Sequence, residues 1–577
     1  MVICGKCRNV RSDEVGAGRR DKCEDFKIMI RMKNSLFLFV TFAATLGMTQ
    51  KALAQYPDVP SDVKAQADAL IKETYRRSDS AWQVAFPVVD NDAKHGKPYV
   101  PWAARPTDLP QSELLAFPGV EGGGAHSFGG HGGKVYVVTS LGDSGPGTLR
   151  WACEQGGARI IVFNVAGIIR IKSPIIVRAP YVTIEGQSAP GDGVCVAGES
   201  FWINTHDVII RYMRFRRGET NVGRRDDALG GNPVGNIVLD HVSTSWGLDE
   251  NMSLYRHMYD PMDGAKEEKH GTVNITIQNS VSAESLDTWN HAFGTTMGGE
   301  NCMLVRNLWA DNTGRNPSVG WNGIFNFVNN IVFNWHHRSM DGGDYTSLFN
   351  IVNNYFKPGP VTPKDEAVGH RILKPESGRS KLKAKYFGRC YVNGNIMDGF
   401  PEITKDNWAG GVQVEELKDA GPYKDYMKVD KPFPMPPVKI LAAQDAYNFV
   451  LANVGATLPR RDAVDARVVE QVRSGKITYK DVNTDSLPQF HVRKLPKDSY
   501  KLGIVTEIFE VGGYPDYKGT PYTDSDNDGL PDDWEVKHGL NPKDPQDSAR
   551  PAVNGGGYSN IEVYLNTLAL KGEKPVK

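Results

Sequence analysis

Short runs of β-branched and aromatic residues recur along the middle of the chain. Each run is four to eight residues long and ends near Gly, Asn, Asp or Pro, as in RIIVFNVAG, DVIIRYMRF, NIVLDHVS and FNFVNNIVF. Strands at a period of about 24 to 38 residues, with almost no amphipathic helix between them, predict the stacked coils of a parallel β-helix. The apolar positions taken as equivalent are Val208, Ile237, Ile275, Met303, Phe327 and Ile351.

Asparagine recurs where these runs end, for example at Asn279, Asn307, Asn329 and Asn353. Asn tolerates the left-handed backbone conformation, and its amide can bond backbone groups left open at a bend. Stacked bends of a β-helix therefore favour it. An antiparallel sandwich is the alternative fold, although its tight N-G hairpin signals are not regularly spaced here.

The pattern changes on both sides of the repeats, and the chain divides into five predicted segments. Residues 1–54 are an N-terminal extension with a signal peptide, and 55–114 are a polar lead-in strap with a helix near 63–76. Residues 115–415 form the β-helix. Residues 416–515 are a helical and irregular appendix, with helical spacing at Ala446, Val450 and Val454, and 516–577 are a tail.

The N-terminal extension carries an export signal. Arg31 and Lys33 precede an apolar run at 36–46, and Ala52-Leu53-Ala54 gives an A-x-A cleavage site before Gln55. We therefore expect an exported protein that is secreted, periplasmic or held at the cell surface. The apolar run is short for a membrane span, so we expect no membrane insertion after cleavage.

Composition narrows the classes of partner. The formal net charge of −1 and a pI of about 6.9 give no global field for nucleic acid or an anionic membrane, so we expect no nucleic-acid partner. We also expect a monomer. The four cysteines that follow the signal segment are widely spaced. We favour small buried thiols over disulfides. These cysteines are Cys153, Cys195, Cys302 and Cys390.

The tail contains DSDNDGLPDDWE, which has the spacing of a twelve-residue calcium loop. No clear helix precedes it, so it is typical of an isolated D-x-D-x-D-G loop, and we expect its Ca²⁺ to be structural. The predicted ligands at positions 1, 3, 5, 7, 9 and 12 are Asp524, Asp526, Asp528, the carbonyl of Leu530, Asp532 and Glu535.

The stretch NIVLDHVSTSWGLDENMS, with DDALGG before it, concentrates the other acidic groups. From the residues alone, Asp240 and His241 would be the first choice for an acid and a base. Asp227, Asp249 and Glu250 could instead offer oxygen ligands to a cation, and turn capping is the plainest alternative for all of them.

The order of the glycine-rich start from Phe117, the repeated strands and the motifs DDALGG, VLDH, DEN and NTGRNPSV resembles the pectate lyases of polysaccharide lyase family 1, over about residues 117–400. The resemblance implies an all-β, single-stranded right-handed parallel β-helix, here with a small helical and calcium-loop C-terminal extension. It also implies Ca²⁺-dependent cleavage of α-1,4-galacturonan by β-elimination to unsaturated oligogalacturonides, with polyuronate (pectate) as the partner.

The same resemblance implies roles for single residues. Calcium aspartates fall on Asp227 and Asp249, and the catalytic arginine falls on Arg315, whereas Asp240 and His241 become structural. A further family aspartate is replaced by Ser253, for which Glu250 is the candidate substitute.

Two substrate-binding positions also depart from the family. His291 is the nearest polar candidate for the family's cleft lysine. The family's second arginine falls on Gly320, and Arg338 is the candidate to replace it.

β-Elimination from a uronate requires cation ligands and a proton acceptor, which these residues could supply. A uronate C5 proton is removed more easily when a metal neutralises the adjacent carboxylate. Arginine is an unusual base because its pKa lies above about 12, so a plain role as a turn cation stays open for Arg315. Two other functions also stay open: a β-helical polygalacturonase-type hydrolase, and a non-catalytic, calcium-stabilised polysaccharide-binding or adhesive protein.

Overall fold

The computed structural model describes residues 59–218, 223–261, 264–378, 380–415, 417–483 and 494–572. All of them belong to one compact unit, Tyr56–Lys577. The predicted signal peptide lies outside the described residues, and the division into five segments stays a prediction. Among the described helices, none combines the length and apolar character that a membrane crossing needs.

The apolar runs form short strands, as their β-branched composition predicts. In chain order the strands are β1 (Lys134–Val138), β2 (Arg159–Phe163), β3 (Gly167–Arg170), β4 (Ile175–Val177), β5 (Val182–Glu185), β6 (Val194–Ala197), β7 (Phe201–Ile203), β8 (His206–Arg211), β9 (Arg214–Arg216), β10 (Leu229–Gly231), β11 (Gly235–Asp240), β12 (Ser243–Ser245), β13 (Arg256–Tyr259), β14 (Glu268–Gly271), β15 (Val273–Gln278), β16 (Val281–Ala283), β17 (Thr296–Met297), β18 (Glu300–Val305), β19 (Leu308–Ala310), β20 (Ser318–Val319), β21 (Gly323–Val328), β22 (Ile331–Phe333), β23 (Met340–Gly342), β24 (Ser347–Val352), β25 (Tyr355–Lys357), β26 (Leu373–Pro375), β27 (Arg389–Asn393) and β28 (Ile396–Met397).

These strands stack in parallel into the faces of a β-helix, which confirms the predicted fold class over the antiparallel sandwich. One face has ten strands in the order β1-β2-β5-β8-β11-β15-β18-β21-β24-β27, and a second has nine, β28-β25-β22-β19-β16-β12-β9-β6-β3. The third face is split into β10-β7-β4 and β17-β20-β23-β26. Only β13 and β14 pair antiparallel among the described strands.

The stacking register confirms the predicted equivalent positions only within two separate sets. Ile237 pairs with both Val208 and Ile275, and Phe327 pairs with Ile351. The second set lies two residues further along the strands, because Phe327 stacks on Leu304. The prediction is wrong at Met303, because Cys302 stacks on Ile275 instead. A shift of one residue turns a side chain to the other face of a strand, so Met303 packs outside the coil with Val305 and Val328.

In the pairs Asn329-Asn330 and Asn353-Asn354, the first and second asparagines have different roles. Asn329 and Asn353 adopt φ of 57° and 51°, the left-handed bend that the sequence predicts. The next residue of each pair joins a buried amide ladder, in which Asn330 donates its backbone N–H to Oδ1 of Asn354 at 2.8 Å. The side chain of Asn330 also donates to the Leu304 carbonyl at 2.9 Å. The ladder therefore satisfies backbone groups at each bend.

Helices lie around the β-helix. In chain order they are α1 (Ser61–Lys94), α2 (Leu149–Cys153), α3 (Pro401–Lys405), α4 (Lys424–Met427), α5 (Ala443–Asn453), α6 (Ala463–Ser474), α7 (Asp532–His538) and α8 (Asn560–Gly572).

The lead-in helix is longer than predicted. α1 continues far beyond residue 76 because Ala85 and Val89 extend its buried face. α5 and α6 pack on the nine-stranded face, where Val450 and Val468 share an apolar cluster with Leu308. The four cysteines of this part of the chain are free and buried, which confirms their prediction as small core residues.

Candidate active site

The candidate site lies where the third face is interrupted. Isolated pairings of Leu229 with Met252 and of Leu254 with Met297 carry the ladder from β10 to β17 across this gap. Asp227 lies two residues before β10, and Asp249 and Glu250 lie in the segment after β12. The gap opens into a cleft of about 570 Å³, which these three carboxylates line.

Asp227, Asp249 and Glu250 form a carboxylate cluster. One oxygen from each lies within 4.8 Å of the others. Oδ1 of Asp227 also accepts a hydrogen bond from the backbone N–H of Glu250 at 3.1 Å, which fixes the two segments together. The structure therefore brings together the three residues that the sequence predicts as cation ligands in the cleft.

Full ionisation of all three carboxylates in the cluster is electrostatically unfavourable. Burial and the charges of Glu250 and Asp249 raise the pKa of Asp227 well above its usual range. Burial also raises the pKa of Asp249, against the opposing effects of Arg315 and Arg225. A cation among the three carboxylates would relieve this repulsion, and carboxylate oxygens are the donors that Ca²⁺ prefers.

Arg315 reaches the same cluster from a later coil. Glu250 pairs in parallel with Phe293, and Phe293 pairs in parallel with Gly314, so the segments that contain these residues stack in register. This stacking brings Arg315, the residue after Gly314, close to Glu250. The guanidinium forms an ion pair with the Glu250 carboxylate. Burial lowers the pKa of Arg315, but Glu250 and Asp249 outweigh it, so the pKa stands above its usual range.

Phe293 lies between the two predicted arginines. The guanidinium carbons of Arg315 and Arg338 are 4.4 Å and 5.0 Å from its ring centroid. Such distances are typical of cation–π contacts. Arg338 is also paired with Asp341, three residues later in β23, and its side chain is 20% exposed. The ring therefore holds both cations on the same side of the cluster.

His291 contacts the carboxylate cluster through Asp249. Its Nδ1 contacts the Asp249 carboxylate, and its side chain is only 1% exposed. Burial and the charge of Arg315 lower the pKa of His291 to about 3, so the ring is neutral at ordinary pH. Its substrate contact stays a prediction; in this arrangement the ring positions Asp249.

Other acidic groups of the same stretch have different partners. Asp226 is neutralised by ion pairs with Arg217 and Arg224. Asp240 accepts hydrogen bonds from His241 at 2.8 Å and from Gln278 at 3.0 Å. The Asp240–His241 pair thus belongs to a hydrogen-bonded scaffold on the ten-stranded face.

The cleft contains residues that the sequence did not identify. Arg225 lines it beside the cluster, and its only sequence signal is its place just before the acidic pair. Tyr75, Trp202 and Tyr255 add aromatic rings, and the ring centroids of Tyr75 and Trp202 are 6.1 Å apart. Tyr75 belongs to α1, so the lead-in strap, in which the sequence analysis named no site residue, contributes to the cleft.

The predicted tail loop, residues 524–535, also gathers acidic groups. Oxygens of Asp524, Asp526 and Asp528 lie within 4.8 Å of one another. Burial and the other carboxylates raise the pKa of Glu535 to about 8. Leu530 is buried and donates its N–H to Asp528 at 3.0 Å, whereas Asp532 accepts two hydrogen bonds from Ser525.

Comparison with known proteins adds relatives over most of the chain. No family model matches. The chain is 36% identical over 465 residues to a probable pectate lyase C of Aspergillus flavus, covering 79% of this chain and 94% of that protein. It is 35% identical over 472 residues to a probable pectate lyase C of Emericella nidulans, covering 80% and 94%. A solved structure, the major cedar pollen allergen jun a 1, is similar with a TM-score of 0.42 and 18% identity, covering 58% of this chain and 92% of that one.

Proposed function

This chain belongs to the pectate lyase family, and on that premise we propose that it cleaves α-1,4-linked polygalacturonate by β-elimination, with Ca²⁺ held by Asp227, Asp249 and Glu250. The observation that carries the proposal is the contact of Arg315 with this carboxylate cluster at the floor of an open cleft. A cation in the cluster would neutralise the uronate carboxylate and so acidify the C5–H bond.

The residues of the chain supply a surface for an anionic sugar. Arg315, Arg338 and Arg225 bring positive charge beside the cluster, where a galacturonate carboxylate would otherwise be repelled by three acids. Guanidinium groups bind carboxylates in a bidentate geometry. Tyr75, Trp202 and Tyr255 line the same cleft and offer apolar ring faces for sugar contact.

Arg315 is our candidate for the group that meets the C5 proton. In its ion pair with Glu250 the guanidinium is fully protonated, so it can take up the C5 proton only as the neutral guanidine, after that pair has opened and Arg315 has given one proton to solvent. In the elimination the C5–H bond breaks, its electron pair forms the C4–C5 double bond, and the C4–O bond breaks. The departing oxygen then takes up a proton, which leaves one unsaturated and one saturated chain end.

Export and assembly state form part of the same proposal. A polymeric plant substrate has to be met outside the cytoplasm, and residues 29–54 supply the export signal. We propose that the mature chain begins at Gln55 and acts as a monomer. N-terminal sequencing of the exported protein and light scattering of the purified enzyme test these two statements.

One assay separates the three functions left open by the sequence. The mature protein is incubated with polygalacturonate and Ca²⁺, and both ultraviolet absorbance of the unsaturated product and new reducing ends are followed. We expect both to rise together. Reducing ends without absorbance would indicate hydrolysis, and binding with neither signal would indicate a non-catalytic protein; either result overturns the proposal.

A further inference from the structure

Asp547 lies twelve residues beyond the end of the tail loop, yet its side chain reaches the acids of the loop. Oxygens of Asp528, Glu535 and Asp547 lie within 4.8 Å of one another. Asp528 is also a member of the group formed with Asp524 and Asp526. The two groups therefore share one carboxylate and surround one region of space.

Several oxygens in this region are buried without a hydrogen-bond donor. Glu535 is 0% exposed, and neither of its carboxylate oxygens has a partner. The same holds for both oxygens of Asp526 and for Oδ1 of Asp547. Burial of a carboxylate without a partner is costly. Arg550, three residues after Asp547, forms its ion pair with Asp544 instead.

Backbone N–H groups orient the remaining oxygens. Asp524 accepts from Asp528 and Gly529 at 3.1 Å and 3.0 Å, and Asp528 accepts from Ser548 at 3.2 Å. Oδ2 of Asp547 accepts from Asn541 at 2.9 Å, which leaves Oδ1 toward the other acids. The chain thus holds these carboxylates in place before any ion arrives.

Asp532, which loop spacing places at position 9, is engaged differently. Its two oxygens accept hydrogen bonds from the backbone N–H and the hydroxyl of Ser525, at 2.8 Å and 2.7 Å. Asp524 and Asp528 also accept hydrogen bonds, but each belongs to a group of converging carboxylates, whereas Asp532 belongs to neither group. A ligand is therefore needed from elsewhere to complete the coordination that the spacing assigns to Asp532.

We propose that Asp547 is a direct ligand of a divalent cation in the tail loop, together with Asp524, Asp526, Asp528 and Glu535, and that Asp532 shapes the loop through Ser525. Carboxylates of this number give the six to eight oxygens that Ca²⁺ takes, with Glu535 bidentate. Mg²⁺ keeps several waters and fits such an all-protein cage less well.

This ligand links the loop to the C-terminal helix. The backbone carbonyl of Asp547 accepts from the side chain of Asn560 at 2.9 Å, and that of Ser548 accepts from the N–H of Ile561 at 2.9 Å. Ile561 and Leu565 of α8 pack against Val162 of the first coils. A cation held by Asp547 would therefore fasten α8 to the β-helix.

The test uses the full mature chain, stripped with a chelator, and every sample carries Asp227→Asn so that cation binding in the cleft is weakened equally throughout. Ca²⁺ is titrated while the thermal unfolding midpoint is followed, and Tb³⁺ is titrated while luminescence sensitised by Trp534, the neighbour of Glu535, is followed. Trp534→Phe identifies the signal of this loop. Asp547→Asn and Asp532→Asn are compared, since each removes one charge and keeps the side-chain shape.

We expect Asp547→Asn to weaken the binding of both Ca²⁺ and Tb³⁺ by at least about tenfold, which is the lower end of the loss in affinity when a residue that supports a metal site is replaced. The variant should also lose the calcium-induced rise in unfolding temperature. Asp532→Asn should weaken the binding of both ions less. The proposal is overturned if Asp532→Asn has the larger effect, or if Asp547→Asn binds as the parent does. If Asp547→Asn unfolds when stripped, the Ca²⁺ midpoint of its refolding gives the same ranking.

Discussion

The guanidinium carbon of Arg315 lies 4.4 Å from the centroid of the Phe293 ring, and the ring itself is almost fully buried. The backbone of Phe293 pairs with Glu250 on one side and Gly314 on the other. One aromatic residue thus connects the acid of the cluster with the arginine that faces it. The ring also holds Arg338, so it sets the position of both cations.

Replacement of Phe293 by Leu should lower kcat more than it changes KM. A cation–π contact contributes about 0.5–2 kcal/mol, which corresponds to roughly two- to thirtyfold in rate if it acts only on the geometry of Arg315. Phe293→Tyr keeps the ring and should restore most of the rate. Steady-state kinetics with polygalacturonate test this. Equal losses in both variants, or a loss that tracks the unfolding temperature, would argue for a purely structural ring.

Arg315→Ala should abolish product absorbance while the fold survives. A positioned proton-transfer group contributes about 10²–10⁴-fold to the rate, and that is the expected loss in kcat. Glu250 keeps its hydrogen bond from Thr296 at 2.8 Å, so it is not left without a partner. Arg473→Ala, on an exposed surface pair of α6, is the matched control. A substantially active Arg315→Ala enzyme would refute the catalytic assignment.

Asp227→Asn should raise the Ca²⁺ concentration needed for activity. The amide oxygen can still accept from the N–H of Glu250, so the change removes a charge with little change in shape. Asp528→Asn, in the tail loop, should act mainly on the unfolding temperature, because saturating calcium at a hundred times Kd stabilises by about 2.7 kcal/mol. Activity and thermal unfolding are measured against Ca²⁺ for both. If the two variants shift both properties alike, the cleft and tail sites are not functionally separate.

The sequence predicted the β-helix because its strands keep one dominant period and its bends need residues such as Asn353. It failed at Met303, where both faces of the strand are apolar: Cys302 packs inside the coil and Met303 outside it. When both faces of a strand are buried, alternation disappears and the register cannot be read from polarity.

Only the candidate site residues that stand in short sequence motifs could be named from the sequence. Asp227, Asp249 and Arg315 stand in short recognisable contexts. Phe293 and Tyr75 do not, because their roles depend on which coils stack and on where α1 lies. Asp547 was missed for the same reason, since loop counting ends at Glu535.

Buried Asp311 should make the enzyme less stable as the pH rises. Burial and the charge of Glu284 raise its pKa to about 8, although Asn334 and Gln471 donate to its oxygens and Arg467 lies near. Because the folded pKa exceeds the ordinary value of 3.8, the stabilising contribution is complete below that value and is lost as the pH rises through about 8. Between these two pH values the free energy of unfolding falls by up to about 1.4 kcal/mol per pH unit.

Asp311→Asn cannot ionise, so its free energy of unfolding should change less with pH than that of the parent. The free energy is measured by denaturant unfolding at intervals of about one unit between about pH 6 and about pH 9. Parallel profiles for the two proteins would show that Asp311 does not titrate in this range.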